Sequence, residues 1–200
     1  MIALFELAFL SYGYQMPVKG GDIQVKLWDT LIEHLDWDGN GRIIDIGCGS
    51  GAVAIRLAKK YLNAQVVGVD YWGNMWEYSK EQCERNARFE DVHDRVSFQK
   101  ADATKLPFED GFFDAAVSND TFHNVMSAKD KMEVLKEALR VVKKGGAFAF
   151  QDAFMVKRYY HSEPDEILST VRSWGVEKVE MVKTMDSRIS IRAYLIWGIK

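Results

Sequence analysis

Residues 45–51 read Asp-Ile-Gly-Cys-Gly-Ser-Gly, with a glycine at every second position directly after an apolar run. Glycines so placed let the backbone turn sharply, approach a ligand closely and aim free N–H groups at it. The flanking sequence fixes the setting. Residues 42–46 read as a short buried strand, and residues 52–61 as a helix with Val53, Leu57 and Tyr61 on one face. Strand, glycine loop and helix in that order open a βαβ unit, so the chain is constrained toward a parallel α/β sheet.

The rest of the sequence continues the alternation. An amphipathic helix over residues 22–35 carries Ile23, Leu27, Leu31 and Leu35. After the loop, strands are predicted over 65–69, 96–100, 113–118 and 147–151. Helices are predicted from Asn74, with Glu77 completing a capping-box-like start, and from Ser127, with Val134, Leu135, Ala138, Leu139 and Val142 on the apolar face. Gly145 and Gly146 read as the stop of that second helix. A further helix opens at residues 162–165, with Pro164 in its first turn. Strands over 176–183 and 193–199 are joined by a polar stretch around Asp186, Ser187 and Arg188, short enough only for an antiparallel hairpin. The expected fold is α/β and Rossmann-like: seven strands, mostly parallel, helices on both faces and a C-terminal antiparallel hairpin. One domain over 1–200 is expected, with cap or lid helices over 1–36 and a core over 41–200.

Composition excludes several classes. A length of 200 residues suits one compact domain, and 48% hydrophobic with 28% charged residues is a globular balance. The net charge of −3 argues against broad phosphate-backbone binding, so no nucleic acid is expected. The two cysteines, Cys48 and Cys83, form no C-x-x-C motif or Cys/His cluster, so neither a metal site nor a disulfide framework is expected and a cytoplasmic setting fits. Residues 1–10 (MIALFELAFL) are apolar but about half the length of a spanning helix. They read as a short cap, with weak contact to a membrane or partner, or a lid role, as the sharper alternatives.

The loop alone is ambiguous, because residues 49–54 also satisfy the dinucleotide G-x-G-x-x-G/A pattern and Asp70 stands at a ribose-binding distance. Acids at strand ends tip the balance. Asp45 precedes the first glycine and Asp102 follows the third strand, and with Asp70 on the ribose hydroxyls they make three acids with distinct hydrogen-bonding roles. A carboxylate beside a pyrophosphate faces like charge, whereas a cationic nucleoside gains from it.

With these residues in place the chain resembles class I S-adenosylmethionine-dependent methyltransferases over most of its length. Residues 43–51 (IIDIGCGSG) look like that family's first motif and 67–71 (VGVDY) like its ribose-binding segment. Residues 101–107 (ADATKLP) with 112–114 (FFD) look like the adenine-side motif, and 138–146 (ALRVVKKGG) like the helix and turn before the fifth strand, with Lys144 where the family usually has proline. The similarity is closest to ubiquinone and menaquinone C-methyltransferases and small prokaryotic methyltransferases. It implies S-adenosyl-L-methionine as cofactor and S-adenosyl-L-homocysteine as product. The cofactor-binding residues it implies are Asp45, Gly47, Cys48, Gly49, Gly51, Asp70, Tyr71, Trp72, Asp102, Ala103 and Asn119.

Methyl transfer from a sulfonium is an in-line displacement governed by positioning. The candidate catalytic residues are His123, a base whose pKa can sit near working pH, and Asp120 beside it. The competing reading of His123 is packing or loop capping. Trp76 and Tyr78 read more readily as helix–sheet packing than as ligand contacts, while Tyr12, Tyr14 and 19–21 suit a lid. Ser118-Asn119-Asp120-Thr121-Phe122 departs from the Asn-Pro-Pro-aromatic tetrad, which disfavours adenine or glutamine amino methylation. The expected substrate is a small, lipophilic molecule and the expected state a monomer or homodimer. Alternatives are a non-catalytic cofactor-binding module and, further off, a nicotinamide oxidoreductase.

Overall fold

The computed structural model describes residues 23–73, 78–184 and 194–200. Expectations placed on residues 1–10, Tyr12, Tyr14, 19–21, Asn74, Trp76, Glu77 and the 186–188 turn lie outside these.

The described chain runs α1 (Ile23–Glu33), β1 (Gly41–Ile46), α2 (Ala52–Lys60), β2 (Ala64–Asp70), α3 (Lys80–Phe89), β3 (Val96–Lys100), β4 (Phe113–Asn119), a 3-10 turn (Phe122–Asn124), α4 (Lys131–Arg140), β5 (Val142–Asp152), α5 (Lys157–Tyr160), α6 (Pro164–Ser173), β6 (Lys178–Lys183) and β7 (Tyr194–Ile199). The seven strands form one sheet in the order β3-β2-β1-β4-β5-β7-β6. The first five pair in parallel, and β7 pairs antiparallel with both β5 and β6. This is the expected Rossmann-like α/β sheet with its C-terminal antiparallel pair.

Period-two alternation in the strands builds two cores. On one face Ile43, Val66, Ala115 and Ala149 pack with Leu31, Leu57 and Cys83 of the first three helices. On the other, Ile44, Ile46, Phe148 and Phe150 pack with Leu135, Leu139, Ile167 and Val171 of α4 and α6. Helices thus cover both faces, as a parallel sheet requires. The strand order reverses at β1 and β4, so the crevice beyond their carboxyl ends is the topological switch point.

Several local expectations are corrected. Helix α4 starts at Lys131 rather than at Ser127, because Asp130 caps it by accepting the Met132 N–H at 2.9 Å. Ser127 donates instead to Asp102. Gly145 and Gly146 do not stop a helix. α4 ends at Arg140, and β5 already runs through both glycines, where the pairing with β4 shifts register between Phe113 and Ala115. A Cβ on Gly146 would lie 2.8 Å from the Asp114 carbonyl oxygen, so close strand approach is what demands glycine there. Helix α3 is capped by Ser79, which accepts from the Gln82 N–H at 3.2 Å. Pro164 is the first residue of α6, behind a Glu163–Glu166 capping box. The short helix α5 was not predicted; four residues carry too little periodicity to signal one.

Candidate active site

The carboxyl ends of β1, β2, β3 and β4 bring the predicted residues to one edge, with the end of β5 beside β4. Ile46 pairs with both Val69 and Ser118, and Asn119 pairs with Gln151. Gly47 and Cys48 both donate their N–H to the Val69 carbonyl, at 2.7 and 3.0 Å, which binds the start of the loop to β2. Gly47 has φ 78°, and a Cβ there would fall 2.0 Å from Thr121 Oγ1. Only glycine lets the loop pass the β4 edge this closely. Gly51, at φ 83°, stands at the N-cap of α2.

Asp45 is 1% exposed, and its Oδ2 accepts the Ala54 N–H at 3.0 Å. Burial pushes its pKa up to about 7 against the pull of that hydrogen bond, with Asp70 adding to the rise. The sequence reading aimed this carboxyl at a ligand's cation; in the structure it holds the first turn of α2 under the loop. Asp70 grips the loop from the side. Its Oδ2 accepts the Gly49 N–H at 2.9 Å and its Oδ1 the Trp72 N–H at 2.8 Å. The Trp72 indole donates back to the Gly49 carbonyl at 3.0 Å, and the Cys83 thiol reaches the same oxygen at 3.1 Å. Asn86 donates to the Ser50 carbonyl at 3.0 Å. Cys48 and Cys83 are buried free thiols under the loop. A hydrogen bond with Cys83, together with burial, pushes the Cys48 pKa well above its ordinary value. The Cys48 side chain is buried and packs with Cys83 and Phe98 in the core on that face of the sheet.

Tyr71 is exposed beside Asp70, with the Lys100 ammonium 5.0 Å from its ring centre. Tyr78 stands over the loop, with ring atoms 3.4 and 3.5 Å from where a Gly49 Cβ would be. Asp102 Oδ1 accepts from the Thr104 N–H, the Thr104 hydroxyl and the Ser127 hydroxyl, at 2.9, 2.7 and 3.2 Å. Burial works to raise its pKa, but these bonds outweigh it and hold the carboxyl below the usual range. Ala103 is half-buried beside it and packs on the core.

At the β4–β5 end Asn119 Oδ1 accepts from Gln151 Nε2 at 2.8 Å, leaving the buried Gln151 Oε1 without a partner among the described residues. Asp120 follows at φ 51°, its N–H bound to the Gln151 carbonyl at 2.8 Å. Burial, then the nearby Asp152 charge, pushes the Asp120 pKa up to about 7, with His123 opposing. His123 Nδ1 lies 2.6 Å from Asp152 Oδ1, a partner the sequence reading missed. Asp152 ends β5 at the tail of an apolar run, 29 residues away, and only the β4–β5 pairing unites the two. Among the described residues no cluster of three or more His, Cys, Asp or Glu is placed to hold a metal, and no helix is long and apolar enough to cross a membrane.

A switch-point crevice, a glycine loop, a strand-end acid on that loop and a His–Asp pair beyond β4 thus stand together at one edge of a Rossmann-like α/β sheet. The chain belongs to the methyltransferase domain family, whose model matches residues 44–150. It is 34% identical over 167 residues to the 27-O-demethylrifamycin SV methyltransferase of Amycolatopsis mediterranei, covering 84% of this chain and 58% of that one. It is 29% identical over 173 residues to the 2-phytyl-1,4-naphtoquinone methyltransferase of Trichormus variabilis, covering 84% and 68%. Among solved structures, geranyl diphosphate C-methyltransferase from Streptomyces coelicolor, in complex with Mg2+, geranyl diphosphate and S-adenosyl-L-homocysteine, superposes with a TM-score of 0.68 at 16% identity, covering 88% and 79%. The chain spans 58% and 43% of the length of the first two curated relatives it matches.

Proposed function

We propose that the chain is an S-adenosylmethionine-dependent methyltransferase acting on a small, lipophilic acceptor. One observation carries the choice of cofactor. Asp70 takes the Gly49 N–H, a donor a pyrophosphate would need, and sets a carboxylate against the loop. A diphosphate meets repulsion there, whereas a net cationic nucleoside meets attraction and a free lone pair for its ribose hydroxyls. Asp102 offers a second acceptor on the adenine side. Gln151 Oε1, a buried acceptor wanting a donor, suits an ammonium. Asp45 serves the site indirectly, by fixing the turn that follows the loop. When bound, the cofactor supplies the electrophilic methyl group, and the protein orients the acceptor and excludes water.

Family membership and the methyltransferases among its relatives support the reaction class. Their named substrates, a rifamycin and a naphthoquinone among them, support a lipophilic small molecule. Met126, 81% exposed just past the 3-10 turn, offers apolar surface near that end of the sheet.

The test is a radiometric assay with methyl-labelled S-adenosylmethionine and a lipid-soluble cell extract as acceptor pool. Label passing into the organic phase with wild type, and not with Asp70→Ala, is the expected result. Binding of S-adenosylhomocysteine with no transfer to any extract would replace the enzyme by a non-catalytic binding module.

A further inference from the structure

We propose that two copies of this chain pair through the free edge of β3, antiparallel about a two-fold axis at Ser97, so that one sheet runs continuously across a homodimer.

β3 lies at the end of the strand order and bonds only to β2. The Val66 N–H donates to the Arg95 carbonyl and the Ala101 N–H to the Asp70 carbonyl, at 2.8 and 2.9 Å. Main-chain groups alternate sides along a strand, so those of Arg95, Ser97, Gln99 and Ala101 turn toward β2. Those of Asp94, Val96, Phe98 and Lys100 turn outward, and among the described residues no strand meets them. An unpaired row of donors and acceptors is a template for another strand, and solitary edges are commonly blunted by charge. The opposite edge fits that rule, since β6 carries Lys178, Glu180 and Lys183. β3 carries no charge from Val96 to Gln99. Residues 101–112 join β3 to β4 without a helix, which leaves a groove of about 370 Å³ beside Ser97 and Gln99 and keeps the strand reachable.

Charge selects both the occupant and the register. Two copies of β3 related by a two-fold axis face each other antiparallel, with outward residues opposite outward residues. Centred on Ser97, Val96 stands opposite the partner's Phe98 and Asp94 opposite the partner's Lys100, each twice by symmetry. Opposite charges facing across two strands stabilise the pair, and like charges in the same place oppose it. Moving the axis by one residue destroys the match. Centred on Phe98, Asp94 faces the partner's Asp102; centred on Val96, Lys100 faces the partner's Val92.

Both charges are available for such a contact. The Asp94 side chain is 70% exposed, and its one ion pair among the described residues, with Arg95 Nε, stands at 3.9 Å. Lys100 is exposed, its ammonium 5.0 Å from the Tyr71 ring centre, and it has no ion pair among the described residues. Val96 and Phe98 turn their side chains into the core, so the main chain supplies most of the contact. Phe89, 88% exposed at the end of α3, the helix packed against β3, adds apolar surface on the same margin.

Sedimentation equilibrium of the full chain tests the pairing. Wild type is expected to reach a monomer–dimer equilibrium below about 0.5 mM, as a small interface allows. Asp94→Lys and Lys100→Asp each set like charges opposite one another at both ends, and each weakens the dimer about tenfold or more. Mixed in equal amounts, the two variants pair with each other at wild-type strength, because opposite charges meet again at both ends. That recovery also shows that both variants fold. Ser97→Cys sets two thiols across the axis in a non-hydrogen-bonded pair, about 4.5 Å between Cα atoms and within disulfide reach. With oxidised glutathione it yields a cross-linked dimer on non-reducing gels, whereas Gln99→Cys, opposite the partner's Arg95, does not. A monomer throughout the concentration range would leave the edge to a different partner and overturn the proposal. A dimer indifferent to either charge reversal, no recovery in the mixture, or cross-linking through Gln99→Cys in preference to Ser97→Cys would each overturn it as well.

Discussion

Asp70 and Gly49 meet across the β2 edge, where the carboxylate Oδ2 accepts the loop N–H at 2.9 Å while Oδ1 holds Trp72 N–H at 2.8 Å. One side chain therefore shapes the loop and offers its remaining lone pairs to a ligand. Asp70→Ala leaves two backbone donors without their acceptor, at a cost of about 1–3 kcal/mol for each one that stays buried. A urea titration should show a lower unfolding midpoint for the variant, and an unchanged midpoint would mean that water replaces the carboxylate at no cost.

The buried Asp45 predicts a pH dependence of stability. Its pKa rises from 3.8 unfolded to about 7 folded, so between those values the native state holds a proton that the unfolded chain has released. Stability from this group therefore falls as pH rises through that window and levels off above it. Asp45→Asn keeps an oxygen for Ala54 N–H and removes the titration. Thermal melts from pH 5 to pH 8 should fall less steeply in the variant. Parallel slopes would place the dependence elsewhere, on Asp120 or His123, whose raised pKa values act in the same direction.

Two glycines of similar backbone shape should differ sharply. Gly47 and Gly145 have φ 78° and 76°, but a Cβ on Gly47 meets Thr121 Oγ1 at 2.0 Å, whereas on Gly145 it meets nothing within 4 Å. Gly145→Ala carries only the left-handed penalty of about 1–2 kcal/mol. Gly47→Ala adds a displacement of Thr121 and should exceed it by about 1 kcal/mol or more in denaturant unfolding. Equal losses would show that the loop moves freely off β4.

The thiols provide a test of packing around the loop. Cys48 and Cys83 are buried, and the Cys48 pKa is held well above the usual value. Iodoacetamide should label neither in the native protein at neutral pH, and both in denaturant. Rapid native labelling of Cys83 would show that α3 opens away from the Gly49 carbonyl.

Much of this was legible in sequence because alternation and glycine spacing are local signals. Residues 42–46, 65–69 and 96–100 all lie in observed strands, and Asp45, Asp70 and Asp102 stand at or beside their carboxyl ends. Boundaries decided by competing side chains were less legible. Ser127 and Asp130 are both good caps, and the structure uses Ser127 for Asp102 instead. Gly145 and Gly146 carry the composition of a helix stop but answer to strand crowding by Asp114, which no local pattern records. Asp152 was invisible for the same reason. Its role depends on Asn119 pairing with Gln151, a contact set by topology.

On the proposed reading, Asp70 and the glycine loop hold the adenosine of the cofactor at the carboxyl edge of the sheet, in its methylated and demethylated forms alike. Calorimetric titration with S-adenosylhomocysteine and, in parallel, NAD+ tests it most directly. Binding of S-adenosylhomocysteine with a Kd on the order of micromolar, weakened about 100-fold or more in Asp70→Ala, with no heat from NAD+, is the predicted result. Binding of NAD+ alone, or equal affinity of wild type and Asp70→Ala for S-adenosylhomocysteine, would contradict it.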